Sequence, residues 1–173
     1  MSEFIQQLIN GLSLGSIYAL IALGYTMVYG ILKFINFAHG EVFMLGAFSG
    51  YYLAQAFGVE SSNLPMAMVI LLLTMIITAA IGVIVEKLAY RPLRNSSKLT
   101  VLITAIGVSL FLQYTGQLIF GAAPRSFPNI LEGYTFIFAG AQIDSNQLVV
   151  IVSSILLMLA LRFIVMKTRI GTA

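Results

Sequence analysis

The chain has no cysteine and very little charge. Only 9% of its 173 residues are Asp, Glu, Lys or Arg, and one residue is a histidine. The absence of cysteine excludes disulfides, thiolate metal sites and a cysteine nucleophile, and it leaves the redox compartment unreadable. A soluble domain of this length needs more charge to cover its surface. Since 60% of the residues are hydrophobic, the composition predicts a protein whose main solvent is lipid.

Motifs of common catalytic proteins are absent as well. The sequence has no G-x-x-x-x-G-K-[ST] phosphate loop, so the chain cannot itself hydrolyse ATP as a motor. It has no nucleophile elbow and no H-E-x-x-H zinc motif, which argues against an intramembrane enzyme. A metal site made from one histidine and one glutamate lacks a third ligand. We therefore predict a protein that is not an enzyme and that binds neither a metal nor a cofactor.

Apolar runs divide the chain into candidate membrane spans. A helix needs about 20 mostly apolar residues to cross a bilayer. The runs cover residues 4–32, 42–59, 61–85, 99–124 and 145–161. The second run is the shortest and reaches full length only with residues 35–41. The predicted fold is therefore all-α: one polytopic transmembrane domain over residues 1–173, with about five membrane helices.

The basic residues predict the orientation in the membrane. With five spans, the loops at 33, at 87–98 and after 166 share one side and carry seven Lys and Arg residues. Arg162 can extend its side chain toward the same face. The opposite side carries Arg125 alone. Because an excess of eight basic residues against one marks the cytoplasmic face, we expect an external N-terminus and a cytoplasmic C-terminus.

Residues 122–146 form the only long connection. Pro124 and Pro128 interrupt helix, and "YTFIFAG" is too short to span a bilayer. Its alternating aromatic and aliphatic residues favour an extended or interfacial segment on the outer face. Two interpretations are open, a plain loop and part of a docking surface for an external partner.

Small and polar residues inside the runs predict close packing. Gly11 and Gly15 lie four residues apart in the first run, and Gly46 and Gly50 do so in the second. Small residues at this spacing let helix backbones approach closely in lipid. We expect packing within one subunit, with a contact between subunits as the alternative. Gln113 lies deep in the fourth run, where an amide must face protein or a cavity.

Polar residues cluster at the start of the second run, in "INFAHGEVFMLGAFSG" (residues 35–50). A lipid-facing Glu41 would cost about 2.5 to 3.5 kcal/mol at the membrane centre, so its carboxylate must face protein, water or a polar neighbour such as Asn36 or His39. Gly40 permits a break in the helix at this point. The residues themselves leave two interpretations open. They line a pathway along a broken second helix, or they cap and anchor that helix at the cytoplasmic interface.

The stretch "GLSLGSIYALIALGYTMVYGILKFINFAHGEVFMLGAF" resembles the N-terminal region of permease subunits of bacterial branched-chain amino acid ABC transporters. "NFAHGE" followed by "MLGA" is specific to that family. "EKLAYRPLR" followed by "LITAIGVSLFLQ" is similar to it too, so the resemblance covers nearly the whole chain. It implies a role in the translocation pathway or its gating for the polar start of the second helix, at Asn36, His39 and Glu41. From the residues themselves we predict that Gly40 and Gln113 belong to the same pathway.

The resemblance also implies partners and a location. It implies a bacterial inner-membrane subunit that imports hydrophobic amino acids, with ATP hydrolysed on a separate subunit. The expected partners are a second permease subunit, cytoplasmic ATPase subunits, an external amino-acid-binding protein and the lipid bilayer, with no nucleic acid. Two alternatives are a permease of the same family for urea or short amides, and a non-transporting membrane scaffold.

The C-terminal "TRIGTA" resembles the opening of the family's cytoplasmic segment that contacts the ATPase, T-R-x-G-x-A. The matching residues are Thr168, Arg169, Gly171 and Ala173. Since family members are considerably longer, we expect the chain to be truncated at the start of this ATPase-coupling segment.

Overall fold

The computed structural model of the chain is predominantly helical and describes residues 2–32, 35–58, 64–127, 134–138 and 141–167. In these residues the helices are α1 (Ser2–Leu32), α2 (His39–Ala56), α3 (Leu64–Val85), α4 (Lys98–Phe120) and α5 (Ser145–Lys167). The strands are β1 (Thr135–Phe138) and β2 (Ala141–Asp144). Each helix begins and ends within a few residues of an apolar run, because the chain becomes polar there or reaches a helix-breaking residue.

Four of the helices in the described residues, α1, α3, α4 and α5, are long and apolar enough to cross a membrane. Their large side chains are widely exposed: Ile76 on α3 is 65% exposed and Leu118 on α4 is 87% exposed. Such surfaces require lipid or further helices around them. Helix α2 has 18 residues, about 27 Å at 1.5 Å per residue, slightly less than the hydrocarbon core of about 30 Å. The polytopic, helical fold is confirmed, and the count of five spans stays a prediction.

The predicted break at Gly40 is not found inside the second helix. Helix α2 runs without interruption from His39, so Gly40 is its second residue. The non-helical backbone lies just before it, in residues 35–38. This corrects the position of the break. Glycine permits a break without requiring one, and the helix continues through Gly40.

The chain divides into two compact units, one formed by Met1–Met27 with Gly133–Ala173 and the other by Val28–Glu132. In the first unit β1 and β2 pair antiparallel, with Phe136 opposite Ile143. Residues 135–138 and 141–144 are therefore extended, as the alternation of residues in this connection predicts. A single domain over residues 1–173 stays a prediction.

Side-chain amides complete the polar contacts of the first unit. The Gln142 N–H donates to Gln6 Oε1 at 2.7 Å, and Gln6 Nε2 donates to the Gln142 carbonyl at 2.9 Å. A carboxamide offers the same donor and acceptor as a peptide group, so Gln6 pairs with β2 as a neighbouring strand would. Asn10 Oδ1 accepts from Gln6 Nε2 at 3.2 Å and from Gln147 Nε2 at 2.9 Å. These contacts join α1, β2 and α5.

In the second unit, α2 packs closely against α3 through two glycines. A Cβ added at Gly46 would lie 2.8 Å from Thr78 Oγ1, and one at Gly50 would lie 3.3 Å from Thr74 Oγ1. Both glycines are buried. Because the later residue of α2 faces the earlier residue of α3, the two helices run antiparallel.

Helix α4 packs on another face of α2 and runs parallel to it. Glu41 contacts Ser109 near the start of α2, and Phe48 stacks on Phe120 further along, with ring centroids 4.6 Å apart. The beginnings of α2 and α4 therefore lie at one end of this unit. Their last turns lie at the other end.

The connection between α3 and α4 is a π-helical turn, Glu86–Tyr90, followed by a 3-10 turn, Arg91–Leu93. Pro92 cannot donate an amide hydrogen, so the α-helical pattern cannot continue through it. Ser97 then caps α4 by accepting from the Thr100 N–H at 3.2 Å. The connection thus brings several basic side chains to the end of the unit where α2 begins.

Candidate functional site

Asn36 forms the turn that leads into α2. Its Oδ1 accepts from the Ala38 N–H at 3.1 Å, and its backbone carbonyl accepts from the His39 N–H at 3.2 Å. Asparagine favours this kind of turn because its side chain can bond its own backbone two residues on. Ala38 is fully buried and has no side-chain oxygen to cap the helix. Asn36 therefore supplies the acceptor that the start of α2 needs.

The turn before α2 is also held by Tyr90. The Tyr90 hydroxyl donates to Asn36 Oδ1 at 2.6 Å, across 54 residues of sequence. Tyr90 is the last residue of the π-helical turn and is 3% exposed. Single π-helical turns within helices are frequent at functional sites. The bond fixes the polar start of α2 against the end of α3.

Glu41 has a hydrogen-bond partner on α4. The Ser109 hydroxyl donates to Glu41 Oε1 at 3.0 Å, and both residues are half-buried. Hydrogen bonds to a charged group contribute about 1.5 to 3 kcal/mol, which offsets part of the cost of placing a carboxylate in an apolar bundle. The carboxylate therefore faces protein, and a polar pair lies at the contact of two apolar helices.

A groove of about 490 Å³ opens between α2 and α4 and begins about one helical turn from this pair, which does not line it. Met44 lies three residues after Glu41, and Gln113 lies four residues after Ser109, and both line it. The lining combines apolar and polar side chains and includes one cation. We call it the α2–α4 groove and define it by Met44, Phe48, Tyr51, Gln113, Gln117 and Arg125.

A second cavity, of about 600 Å³, lies between α2 and α3. Its lining is almost entirely apolar. The Thr74 hydroxyl is buried beside it and has no hydrogen-bond partner among the described residues. A cavity with so few polar groups offers little to orient a charged or zwitterionic solute. The α2–α4 groove is therefore the better candidate for a solute pathway.

The predicted pathway residues fall in two places. Four of them lie at or just before the start of α2: Asn36, His39, Gly40 and Glu41. Asn36 is hydrogen-bonded to Tyr90, and Glu41 is hydrogen-bonded to Ser109. His39 is half-buried and Gly40 is exposed. Gln113 lies apart from them, in the α2–α4 groove. Their roles in passage or gating stay predictions.

Of the four glycines predicted to pack helices together, two have a close neighbour on another helix in the described residues and two do not. Gly46 and Gly50 face α3. Gly11 and Gly15 are exposed, and a Cβ added there would meet no heavy atom within 4 Å among the described residues. The predicted ATPase-coupling residues lie outside the described residues. These are Thr168, Arg169, Gly171 and Ala173.

Sequence reasoning missed the two partners of the polar cluster. Tyr90 precedes Arg91 and Pro92 in "AYRPLR", where proline ends the helix. A tyrosine hydroxyl at a helix end needs a hydrogen-bond partner, and this was the available signal. Ser109 is a hydroxyl within an apolar run, so it needs a partner or a bond to its own backbone. The sequence alone does not reveal which distant side chain each of these two residues contacts.

Within the part of the chain that the structure describes, no group of three His, Asp or Glu side chains is placed to hold a metal ion. The arrangement consists instead of apolar helices with widely exposed side chains, a hydrogen-bonded carboxylate at a helix contact and a groove with polar and apolar walls. Ionisable groups inside membrane bundles mark solute or ion pathways. This combination is typical of membrane transport proteins.

The chain belongs to the family described as branched-chain amino acid transport system / permease component, which it matches over residues 7–173. It is similar to the high-affinity branched-chain amino acid transport system permease protein BraD of Pseudomonas aeruginosa, with 42% identity over 99% of this chain and 58% of that protein. The permease protein LivH of the same kind of system is 42% identical in Salmonella typhimurium and 41% in Escherichia coli K12. In both comparisons the matched region covers 98% of this chain and 57% of the LivH protein. No solved structure matches the chain.

The chain thus spans less than three fifths of the length of these relatives. Family membership and the apolar helices make it a multi-pass membrane protein.

Proposed function

We propose that the chain is the membrane-spanning permease subunit of an ATP-driven importer for branched-chain amino acids in the bacterial inner membrane. The observation that carries the proposal is the Glu41–Ser109 pair, one helical turn from the α2–α4 groove and among apolar helices. A scaffold has no need for a carboxylate in an apolar helix contact. The names of the similar permeases supply the substrate class.

The chemistry of the groove suits such a substrate. A branched-chain amino acid has a charged ammonium and carboxylate at one end and an apolar side chain at the other. Met44 and Phe48 offer apolar surface, while Gln113 and Gln117 offer amide donors and acceptors. Small-molecule sites generally combine apolar walls with a few polar groups that fix orientation. The groove therefore supports the passage of an amphipathic solute.

ATP hydrolysis belongs to a separate subunit in this proposal, because the sequence has no phosphate loop. The proposed partners are a second permease subunit, cytoplasmic ATPase subunits and an external amino-acid-binding protein. The coupling residues Thr168, Arg169, Gly171 and Ala173 are proposed to contact the ATPase.

Uptake of leucine by the assembled transporter tests the function. Assembled with its ATPase, second permease and binding protein in liposomes, the subunit is expected to give leucine uptake that needs ATP and is unaffected by collapsing the proton and sodium gradients. Uptake of isoleucine and valine is expected to compete with it. Transport of urea or acetamide in place of leucine would identify the alternative permease. Leucine uptake driven by an ion gradient without ATP would contradict the proposal.

The orientation is part of the proposal, with the N-terminus outside and the C-terminus in the cytoplasm. In the second unit the basic residues of 87–98 lie at the end where α2 and α4 begin, and Arg125 lies beyond the other end of α4. A one-sided excess of Lys and Arg sets membrane orientation. The separation of these charges to opposite ends supports the proposed topology.

Cysteine labelling checks this orientation without background, since the chain has no cysteine of its own. Ser96 and Ser126 are both exposed, and neither side chain caps a helix in the described residues, unlike that of Ser97. In intact cells, a membrane-impermeant maleimide is expected to label Ser126→Cys and to reach Ser96→Cys only after permeabilisation. Labelling of both positions from outside would rule out the proposed topology.

A further inference from the structure

Arg125 lies just beyond α4 and is fixed by three contacts. Its Nη2 donates to the Phe120 carbonyl at 3.0 Å, at the last residue of the helix. Its guanidinium carbon lies 5.8 Å from the ring centroid of Tyr51 and 5.7 Å from that of Tyr52, within the range of cation–π attraction. An arginine held in this way has its charge already positioned at the wall of the α2–α4 groove.

No described side chain of the groove neutralises the charge of Arg125. Of the described residues that line the groove, none is acidic. In the described ranges, the one ion pair joins Arg94 to Glu86, at the opposite end of this unit. A guanidinium has five N–H donors in a planar fork, and a single side-chain hydrogen bond of Arg125 is found in the same residues. The remaining donors suit a planar anion such as a carboxylate. Its two oxygens can accept two parallel hydrogen bonds from the guanidinium.

Part of the groove wall is apolar and lies beside a cluster of packed aromatic rings. Phe48 stacks on Phe120 with an interplanar angle of 9° and ring centroids 4.6 Å apart, and Tyr52 packs on Phe120 at 5.5 Å. Met44 and Phe127 add apolar surface. A ligand that fits therefore has one anionic group and an apolar body within a few bonds of it.

The polar groups continue from the cation toward the Glu41–Ser109 pair. Gln117 and Gln113 lie one turn apart on α4, and Ser109 follows one turn further. Amide oxygens accept hydrogen bonds from an ammonium group. A zwitterion in the groove thus meets a cation first and then neutral acceptors, on the side of the groove that leads toward Glu41.

We propose that Arg125 binds the α-carboxylate of the transported amino acid in the α2–α4 groove, with the aliphatic side chain against Phe48 and Met44. The ammonium group is received by the amide oxygens of Gln113 and Gln117. This site rests on the proposed function and adds to it a residue that recognises the carboxylate. It favours the free carboxylate of the substrate and binds the corresponding alcohol much more weakly.

Direct binding of radiolabelled leucine tests the site. The permease–ATPase assembly, without binding protein, is placed in nanodiscs of phosphatidylcholine. The parental assembly is expected to bind leucine and to bind leucinol, which has a hydroxyl in place of the carboxylate, at least tenfold more weakly. Arg125→Gln is expected to weaken leucine binding by about tenfold or more, because a charge-assisted pair is lost. Arg125→Lys is expected to give an intermediate affinity, since it keeps the charge but not the fork.

Controls separate binding from structure. Arg94→Gln removes an exposed arginine from the other end of the same unit and is expected to leave leucine affinity unchanged. Arg125 also contacts the end of α4, so the thermal midpoint of each variant is measured as well. A lower midpoint with unchanged leucine affinity would show a helix-capping role only and would overturn the proposal. Absence of leucine binding by the parental assembly would overturn it too.

A lipid phosphate is the other anion that this chemistry would accept. Native mass spectrometry counts phospholipids bound to the parental assembly and to Arg125→Gln. Loss of one bound lipid in Arg125→Gln, without a change in leucine affinity, would assign Arg125 to the bilayer and refute carboxylate recognition. If the parental transporter takes up leucine with ATP while Arg125→Gln binds leucine as tightly as the parent, only this inference fails. If the parental transporter takes up no branched-chain amino acid, the proposed function fails.

Discussion

Replacement of Glu41 by leucine is expected to lower ATP-driven leucine uptake by about tenfold or more per assembled transporter, while membrane insertion stays the same or improves. Insertion benefits because a carboxylate no longer enters an apolar helix. Transport falls because leucine offers neither the hydrogen bond to Ser109 nor a charge beside the groove, and a tenfold change corresponds to about 1.4 kcal/mol. The measurement is uptake normalised to the amount of assembled complex in the membrane.

Two matched variants identify what Glu41 contributes. Glu41→Gln keeps the side-chain size and an oxygen that can accept from Ser109, but it removes the charge. Ser109→Ala keeps the charge and removes the hydrogen bond of 3.0 Å. Full loss in Glu41→Gln with activity in Ser109→Ala would point to the carboxylate itself, and the reverse would point to the helix contact. Normal assembly and parental uptake in Glu41→Leu would leave Glu41 as an interfacial anchor and defeat the pathway interpretation.

A leucine at Gly46 is expected to prevent the close contact of α2 with α3. A Cβ at this position already lies 2.8 Å from Thr78 Oγ1, and the Thr78 hydroxyl is held by a hydrogen bond to the Thr74 carbonyl at 2.7 Å. Overpacking a core by single methylenes costs about 1 to 3 kcal/mol, and three further carbons beyond Cβ exceed that. We expect little assembled complex by size-exclusion chromatography and a strongly lowered thermal midpoint.

The matched control for Gly46→Leu is Gly107→Leu on α4. A Cβ added at Gly107 has no neighbouring heavy atom within 4 Å among the described residues, so this variant is expected to assemble at the parental level. A smaller pair measures the contact itself. Gly46→Ala is expected to be destabilising, and adding Thr78→Ala is expected to recover much of the loss by removing the opposing oxygen. Equal behaviour of Gly46→Leu and Gly107→Leu would show that α2 and α3 need no close approach.

The polar start of α2 illustrates how the proposed pathway depends on the surrounding helices. Asn36 is held by Tyr90 from the end of α3, and Glu41 is held by Ser109 on α4. A movement of either helix would therefore act directly on the first turn of α2. The residues of this cluster act in two hydrogen-bonded pairs. A double variant of each pair, compared with its two single variants, measures the interaction between the two side chains.

Much of the architecture follows from the sequence because lipid imposes strict requirements. Backbone groups in hydrocarbon must be satisfied within the segment, so long apolar runs have to be helices, and their bounds agree with α1, α3, α4 and α5 to within a few residues. The extended backbone of 135–138 and 141–144 was also predictable, because alternating aromatic and aliphatic residues favour it over helix. The position of the break near Gly40 was not, since glycine permits a break without requiring one.

The sequence by itself determined that this is a helical membrane protein without cysteine chemistry, that it belongs to a permease family, and that Glu41 needs a protein environment. Only the tertiary structure decided which side chains provide that environment. Tyr90 is 54 residues from Asn36 in sequence, and Ser109 is 68 residues from Glu41. Apolar periodicity says that a helix is present but does not say which face meets which neighbour, because in lipid every apolar face is equally well solvated. The contacts of α2 with α3 and α4 arise instead from close steric fit at Gly46 and from a few hydrogen bonds between polar groups.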